Sequence, residues 1–231
     1  MEARKIDKTR IFNVEELKQI AKNRKIITPR FRLPVTTEQA IVMLEAFYRA
    51  EVENRYREFS FDSEMKKNIV SIASALTANN SKFGLLLCGE CGNGKTTFLY
   101  AIQNLINWLN NGGYFDNKEN TGMWIVSARE LAYTIRQDYQ KYLEFAKFPK
   151  ILAIDDLGTE PFEILEYGNI YNPVVEMIEM RYNRQFTTFL TSNLDPEEIR
   201  EKYKERTSDR LKEMVEQIVF ERTFEESYRR I

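Results

Sequence analysis

Gly84-Leu85-Leu86-Leu87-Cys88-Gly89-Glu90-Cys91-Gly92-Asn93-Gly94-Lys95-Thr96-Thr97 is the stretch from which the fold of this chain is read. An apolar run of strand length meets a turn carrying Gly89, Gly92 and Gly94, then Lys95-Thr96-Thr97, then an amphipathic segment. Strand, loop and helix therefore follow in the order that the phosphate-loop spacing Gly-x-x-x-x-Gly-Lys-[Ser/Thr] requires. Glycines let backbone N–H groups converge on phosphate oxygens, and the helix after them points its positive end at the same anion. Residues Gly89, Glu90, Cys91, Gly92, Asn93, Gly94, Lys95, Thr96 and Thr97 are thus expected to bind a nucleoside triphosphate. Lys95 reaches its β and γ phosphates and the Thr96 hydroxyl ligates magnesium. A Gly-rich turn that binds nothing is the plain alternative, and the flanking strand and helix argue against it.

Outward from this loop the chain alternates strand and helix, which implies right-handed crossovers and a mainly parallel sheet. Phe98, Leu99, Ile102, Leu105, Ile106 and Leu109 form an apolar stripe on the first helix, which Asn110-Asn111-Gly112-Gly113 stops. Met123 to Val126 reads as the second strand. Ser127-Ala128-Arg129-Glu130 then opens one helix with Leu131, Ile135, Tyr139 and Tyr142 or Leu143 on one side. Asn117 to Thr121 is expected as an exposed loop. Ile151-Leu152-Ala153-Ile154 is a fully apolar strand running into Asp155-Asp156-Leu157-Gly158. Two carboxylates at a buried strand end are costly unless hydrogen-bonded or serving a cation. Beside a phosphate loop, Asp155 is assigned to magnesium and Asp156 to orienting and deprotonating the attacking water; a turn opened by Asp-Asp is the alternative.

A loop with Pro161 leads to a helix near Pro173, and a strand from Phe186 to Leu190 ends in Thr191-Ser192-Asn193. Asn193 is read either as a sensor of the γ-phosphate or as a cap before Asp195-Pro196, which open the next helix. Arg206 and Arg210, four apart, are either surface salt-bridge partners of Glu205 or Glu213 or arginine fingers for a neighbouring subunit's site. Gln217 to Phe220 is the fifth strand.

Upstream, Val14, Leu17, Ile20 and Ala21 repeat at helical spacing behind Asn13, and Pro29 and Pro34 close that segment. Thr36-Thr37-Glu38-Gln39 opens a long helix, and a second runs from about Asp62 to Asn79-Asn80-Ser81. Residues 1–54 form a basic helical N-terminal segment, with ten Lys/Arg against four acids in the first 32 residues, and residues 55–231 form the nucleotide-binding domain.

The 231 residues, 43% hydrophobic and 30% charged, exclude wholesale disorder. No apolar run approaches the roughly 20 residues a membrane helix needs. With no secretory signal either, a cytoplasmic protein is expected. A net charge of −1 confines any basic surface to a patch. Cys88 and Cys91 are the only cysteines and there is no histidine, so the pair cannot complete a zinc site.

These motifs together resemble AAA+ ATPases of the DnaC/IstB type, the bacterial replicative-helicase loaders and transposition-helper ATPases. The resemblance spans roughly Phe61 to Arg229. It is carried by the phosphate loop, Ile154-Asp155-Asp156-Leu157-Gly158, Arg181-Tyr182, Thr191-Ser192-Asn193-Leu194, Arg206, Arg210 and the closing Ser227-Tyr228-Arg229. It implies a three-layer αβα P-loop fold with a five-stranded parallel sheet of order 5-1-4-3-2. Because few residues follow the fifth strand, it also implies an AAA+ domain without the C-terminal helical lid. Asn193 would be the first sensor and Arg206 the arginine finger in trans, with Arg210 second choice.

The implied activity is magnesium-dependent hydrolysis of ATP, with homo-oligomeric assembly on ATP and loading or remodelling of a DNA-associated partner, a replicative helicase. A transposition helper acting with a transposase, and a nucleotide-controlled interaction module with little hydrolysis, are the alternatives. Single-stranded DNA is an expected ligand, with Arg129 and Arg136 as contacts. The chain departs from the group in carrying no metal-ligand cluster in its first sixty residues and in having Cys91 where proline or a small residue is usual.

Overall fold

The computed structural model of the chain describes residues 13–23, 30–79, 82–115, 122–147, 151–166 and 168–221. The loop expected at Asn117–Thr121, the first basic residues from Arg4 to Arg10, Pro29, Asn80-Ser81 and the closing Ser227-Tyr228-Arg229 lie outside the described residues. In chain order the elements are α1 (Val14–Asn23), α2 (Thr37–Glu53), α3 (Ser63–Thr77), β1 (Gly84–Gly89), α4 (Lys95–Asn111), β2 (Met123–Ser127), α5 (Ala128–Gln137), α6 (Tyr139–Lys147), β3 (Ile151–Leu157), β4 (Ile164–Glu166), β5 (Asn169–Tyr171), α7 (Pro173–Arg184), β6 (Thr188–Ser192), α8 (Pro196–Met214) and β7 (Glu216–Phe220).

Five strands pair in parallel in the order β2-β3-β6-β1-β7. Counted without the separate β4–β5 hairpin, this is the 5-1-4-3-2 order of the P-loop resemblance. β1 lies second from one edge, with Leu87 level with Thr191 of β6 and Ile218 of β7. Alternation along the strand divides its side chains between two cores. Leu85 and Leu87 join the core built with α2, α3 and α4, and Leu86 and Cys88 join the one built with α5, α6, α7 and α8. A sheet covered on both faces needs the near-continuous apolar strands seen in the sequence. The phosphate loop, Asp155 and Asp156, and Asn193 all leave the carboxyl ends of adjacent parallel strands, so the topology alone gathers them.

α2 is closed by the expected capping box. The Thr36 hydroxyl accepts from the Gln39 N–H at 3.3 Å, and the Gln39 carboxamide accepts from the Thr36 N–H at 3.0 Å. The sequence reading assigns this helix to the N-terminal segment; its Ala40, Leu44 and Tyr48 are buried in the same core as β1 and α4. α1 stands apart, with Val14, Leu17 and Ile20 61%, 49% and 59% exposed.

Two elements differ from expectation. The single helix expected from Ser127 to Leu143 is two, broken at Asp138, whose φ of −153° and ψ of 86° are non-helical. The Asp138 carboxylate accepts from the Lys141 N–H at 2.9 Å and starts α6, the local competition by which Asp disrupts helix interiors. Tyr139 consequently turns outward, while Tyr142 is buried and donates to the Pro173 carbonyl at 2.7 Å. The loop expected between Gly158 and Pro173 contains the β4–β5 hairpin, turned at Gly168 with φ of 78°. No helix among the described residues is long and apolar enough to cross a membrane.

Candidate functional site

β1 delivers the chain into the loop at Gly89, and α4 begins at Lys95. Gly94 has φ of 81°, and a Cβ there would lie 2.2 Å from the Tyr48 hydroxyl, so both conformation and space demand glycine. No acidic residue occupies the first turn of α4, which leaves its positive end open to an anion. Lys95 is 5% exposed and donates to the carbonyls of Gly89 at 2.6 Å and Glu90 at 2.8 Å. Burial holds its ammonium below the ordinary lysine value, opposed in part by the carboxylates of Asp156 and Asp155. Burial also pushes the Cys88 thiol up to about 11, the behaviour of a core side chain rather than of a nucleophile.

β3 ends in an irregularity that the site exploits. Ile154 is level with Leu190 and Leu157 with Ser192, so Asp155 and Asp156 together oppose Thr191 alone. This is a β-bulge, which re-aims side chains at a strand end. The Thr191 hydroxyl fastens it, donating to Asp155 Oδ1 at 2.6 Å and accepting from the Asp156 N–H at 2.8 Å. Asp156 takes φ of 55°, a left-handed conformation that costs a non-glycine residue about 1 kcal/mol or more. Across the site the Thr96 hydroxyl lies 3.0 and 3.1 Å from the two Asp155 oxygens. Hydroxyl and carboxylate are hard oxygen donors of the kind magnesium takes, and magnesium bound with a nucleotide needs only one or two carboxylates. The described residues hold no group of three or more His, Cys, Asp or Glu able to bind a metal by itself. The residues present therefore fit magnesium carried with a phosphate ligand.

A cavity of about 530 Å³ opens over the loop and is lined by Lys95, Thr96, Asp155, Asp156 and Asn193 together with residues from the end of α2. Residues Cys91 to Thr97 of the phosphate loop thus meet Asp155, Asp156 and Asn193 in one cleft, while Gly89 and Glu90 accept from Lys95 through their carbonyls and do not line it. Nor do the candidate arginine fingers. Arg206, its side chain 75% exposed, lies 3.5 Å from Glu179, while Arg210 is 17% exposed and pairs with the same carboxylate at 2.5 Å above the Tyr182 ring. Their partner is Glu179 on α7 rather than the expected Glu205 or Glu213; Glu205 binds Arg200 and Glu213 binds Tyr182. Arg129 is exposed, 3.5 Å from the Thr159 carbonyl, and Arg136 pairs with Glu166 of the hairpin at 2.5 Å.

Thr191 is a site residue whose role sequence reasoning missed, because the bulge it fastens depends on register between strands. Arg181, part of the motif set, is structural. It is 1% exposed and donates to Thr188 Oγ1 at 2.8 Å and to the Phe145 and Thr187 carbonyls at 2.6 Å each. Burial lowers its pKa to about 9, the cost those hydrogen bonds offset. A second buried network ties the loop after Asp156 to α8. Glu160 accepts from the Gly158 N–H at 2.9 Å and from the Tyr203 hydroxyl, and Lys202 donates to the Glu160 carbonyl at 2.9 Å.

No protein-family model matches the chain. In sequence it is 28% identical over 124 residues, 52% of its length, to the replicative helicase loader DnaI of Bacillus subtilis (strain 168), and the chain spans 36% of that relative's length. Among solved structures it is similar to the DnaC helicase loader, with a TM-score of 0.55 at 18% identity over 77% of this chain and 99% of that one. A crystal structure of DnaI gives 0.50 at 23% identity over 76% and 93%. A DNA replication initiation factor gives 0.50 at 15% over 84% and 50%. The fold is that of AAA+ P-loop domains, as the motifs imply.

Proposed function

We propose that this chain binds and hydrolyses ATP with magnesium and, assembling with copies of itself on ATP, loads or remodels a replicative helicase on DNA. The observation that carries the reading is the contact of the Thr96 hydroxyl with the Asp155 carboxylate at 3.0 Å, inside one cleft with Lys95, Asp156 and Asn193. That arrangement joins a phosphate cradle after β1 to an acid able to hold the metal at the end of β3, the next strand but one with β6 between them, and phosphate-loop enzymes hold magnesium with such an acid.

Backbone N–H groups of the loop and the α4 N-terminus hold the phosphates, and Lys95 turns from its loop carbonyls to the β and γ phosphates. Thr96 and Asp155 hold magnesium, directly or through water; when bound, it neutralises charge that develops on the phosphate oxygens. Asp156 orients the attacking water and accepts its proton. Asn193 contacts the γ-phosphate or that water. Arg206, exposed on α8, enters the neighbouring subunit's cleft, and Arg210 is the second choice for that role. The helicase partner is supported by the similarity to a helicase loader, and the exposed apolar stripe of α1 supports residues 1–54 as the segment that grips it. Arg129 and Arg136 are the residues proposed to meet single-stranded DNA.

Turnover measured with and without single-stranded DNA and helicase tests the reading. Lys95→Ala and Arg206→Ala chains should each be inactive alone, and mixing them should restore part of the activity, because one interface then holds an intact loop and an intact arginine. No recovery at any ratio removes Arg206 from the trans role, and undamaged ATP binding by Lys95→Ala removes the site itself.

A further inference from the structure

Resting on that reading of the cleft, we propose that Arg55 is a second phosphate-binding cation, closing on the α-phosphate end of the nucleotide from the turn that follows α2. Arg55 Nη1 donates to Thr97 Oγ1 at 2.9 Å, one residue past the metal-side Thr96. Its Nη2 lies 3.3 Å from Glu51, and its guanidinium sits 5.4 Å from the centre of the Tyr100 ring. Glu51 is itself fixed by Asn104 Nδ2 at 2.7 Å. Thr97, Tyr100 and Asn104 follow at helical spacing along one face of α4, so the arginine is held along that face and delivered to its phosphate end. The backbone is equally fixed: the N–H groups of Arg55, Tyr56 and Arg57 donate to the carbonyls of Val52, Glu53 and Val52 at 3.1, 2.9 and 3.3 Å.

Electrostatics favours an anion at this position. A cation beside a helix N-terminus faces the positive end of the dipole and is disfavoured there. Here Lys95 and Arg55 both approach the N-terminus of α4, whose first turn has no acid, and both line the cleft. Glu51 pairs with Arg55, and the carboxylates of Asp156 and Asp155 act on Lys95. A phosphate at the α4 N-terminus meets both cations, and the guanidinium fork offers it two N–H groups. Thr96 faces Asp155 on the γ-phosphate side; Thr97, about 100° further round the helix, faces α2, which assigns Arg55 to the α end.

The test is equilibrium binding of fluorescent ATP and ADP to the wild-type chain, Arg55→Ala and Lys95→Ala across a salt series. Arg55→Ala should weaken ATP and ADP alike by roughly tenfold, the loss of a charged hydrogen bond, and should flatten the salt dependence of Kd. Unchanged affinity for both nucleotides overturns the proposal, as does a salt dependence parallel to wild type, which would mean that Arg55 only braces the loop. A loss confined to ATP moves the contact to the γ-phosphate and overturns the α-phosphate assignment. Wild-type binding that is sensitive to Lys95 but not to Arg55 removes this inference and leaves the cleft; no wild-type binding at all removes the cleft, and the inference with it.

Discussion

Thr191→Val is the substitution that most directly tests whether the bulge at Asp155-Asp156 is held as described. Thr191 is fully buried, so valine fits its volume while deleting one hydroxyl. That hydroxyl donates to Asp155 at 2.6 Å and accepts from the Asp156 N–H at 2.8 Å. A hydrogen bond to a charged group contributes about 1.5–3 kcal/mol, and an unsatisfied backbone N–H costs about 1–3 kcal/mol. Both carboxylates are partly exposed and Asp155 keeps its Thr96 donor, so water recovers part of the first loss; a buried methyl in place of a hydroxyl recovers a further fraction. The net expectation is about 2 kcal/mol, or roughly 4–8 °C in Tm for a chain of this size. Urea unfolding followed by far-UV circular dichroism reads the free energy, and calorimetry reads Tm.

Thr191→Ser is the control. It keeps both hydrogen bonds and loses one methyl, worth about 1 kcal/mol, so it should leave the magnesium concentration for half-maximal hydrolysis unchanged while valine raises it. A valine chain as stable as wild type within about 0.5 kcal/mol would refute the assignment of Thr191 as the bulge clasp. So would a serine chain whose magnesium requirement shifted as far as valine's.

Asp156→Gly should separate stability from turnover, since glycine adopts φ of 55° without strain: unfolding free energy should rise by about 0.5–1 kcal/mol while hydrolysis falls to background and ATP stays bound. A less stable glycine chain would mean that the Asp156 carboxylate contributes more to the fold than its backbone costs. Thiol labelling of the native chain at neutral pH should modify Cys91, which is exposed on the loop, and spare Cys88, whose buried thiol is held up to about 11. One thiol modified natively and two in urea is the expected count, with magnesium and ATP slowing the Cys91 reaction; rapid modification of both would contradict the burial of β1.

The parts of the site that were legible in the sequence are those written locally. The loop glycines with Lys95 and Thr96, the acids at the end of an apolar strand, and Asn193 after the next strand each sit within a few residues of the signal that reveals them. A parallel sheet then brings strand ends together whatever the chain between them does. What was illegible depends on partners far along the chain. Thr191 acts on residues 35 and 36 positions earlier, through a register shift no periodicity encodes. Arg55 reaches Thr97 across 42 positions from a turn that reads only as the end of an amphipathic helix. The break at Asp138 is one side chain outcompeting a helical pattern that continues on both sides of it.

The same long-range logic bears on how the cleft and the exposed arginine are related. Glu160, 4% exposed, joins Gly158 to Tyr203, and Lys202 donates back to the Gly158 and Glu160 carbonyls. The loop that follows Asp156 is thereby clamped to the first half of α8. One residue beyond Tyr203, Lys204 leaves helical conformation with φ of 67° and ψ of 164°, and α8 resumes in a new direction carrying Arg206 and Arg210. Buried charges held by several hydrogen bonds resist rearrangement more strongly than exposed pairs do. The Asp156 turn and α8 up to Tyr203 are therefore held as one piece, and the kink at Lys204 separates that piece from the half of the helix that carries Arg206 and Arg210. Arg210 anchors the second half to Glu179 on α7 at 2.5 Å, and Arg206, the more exposed of the two, lies 3.5 Å from the same carboxylate. One buried cluster around Glu160 consequently fixes the Asp156 turn and the first half of α8, while Glu179 on α7 fixes the second.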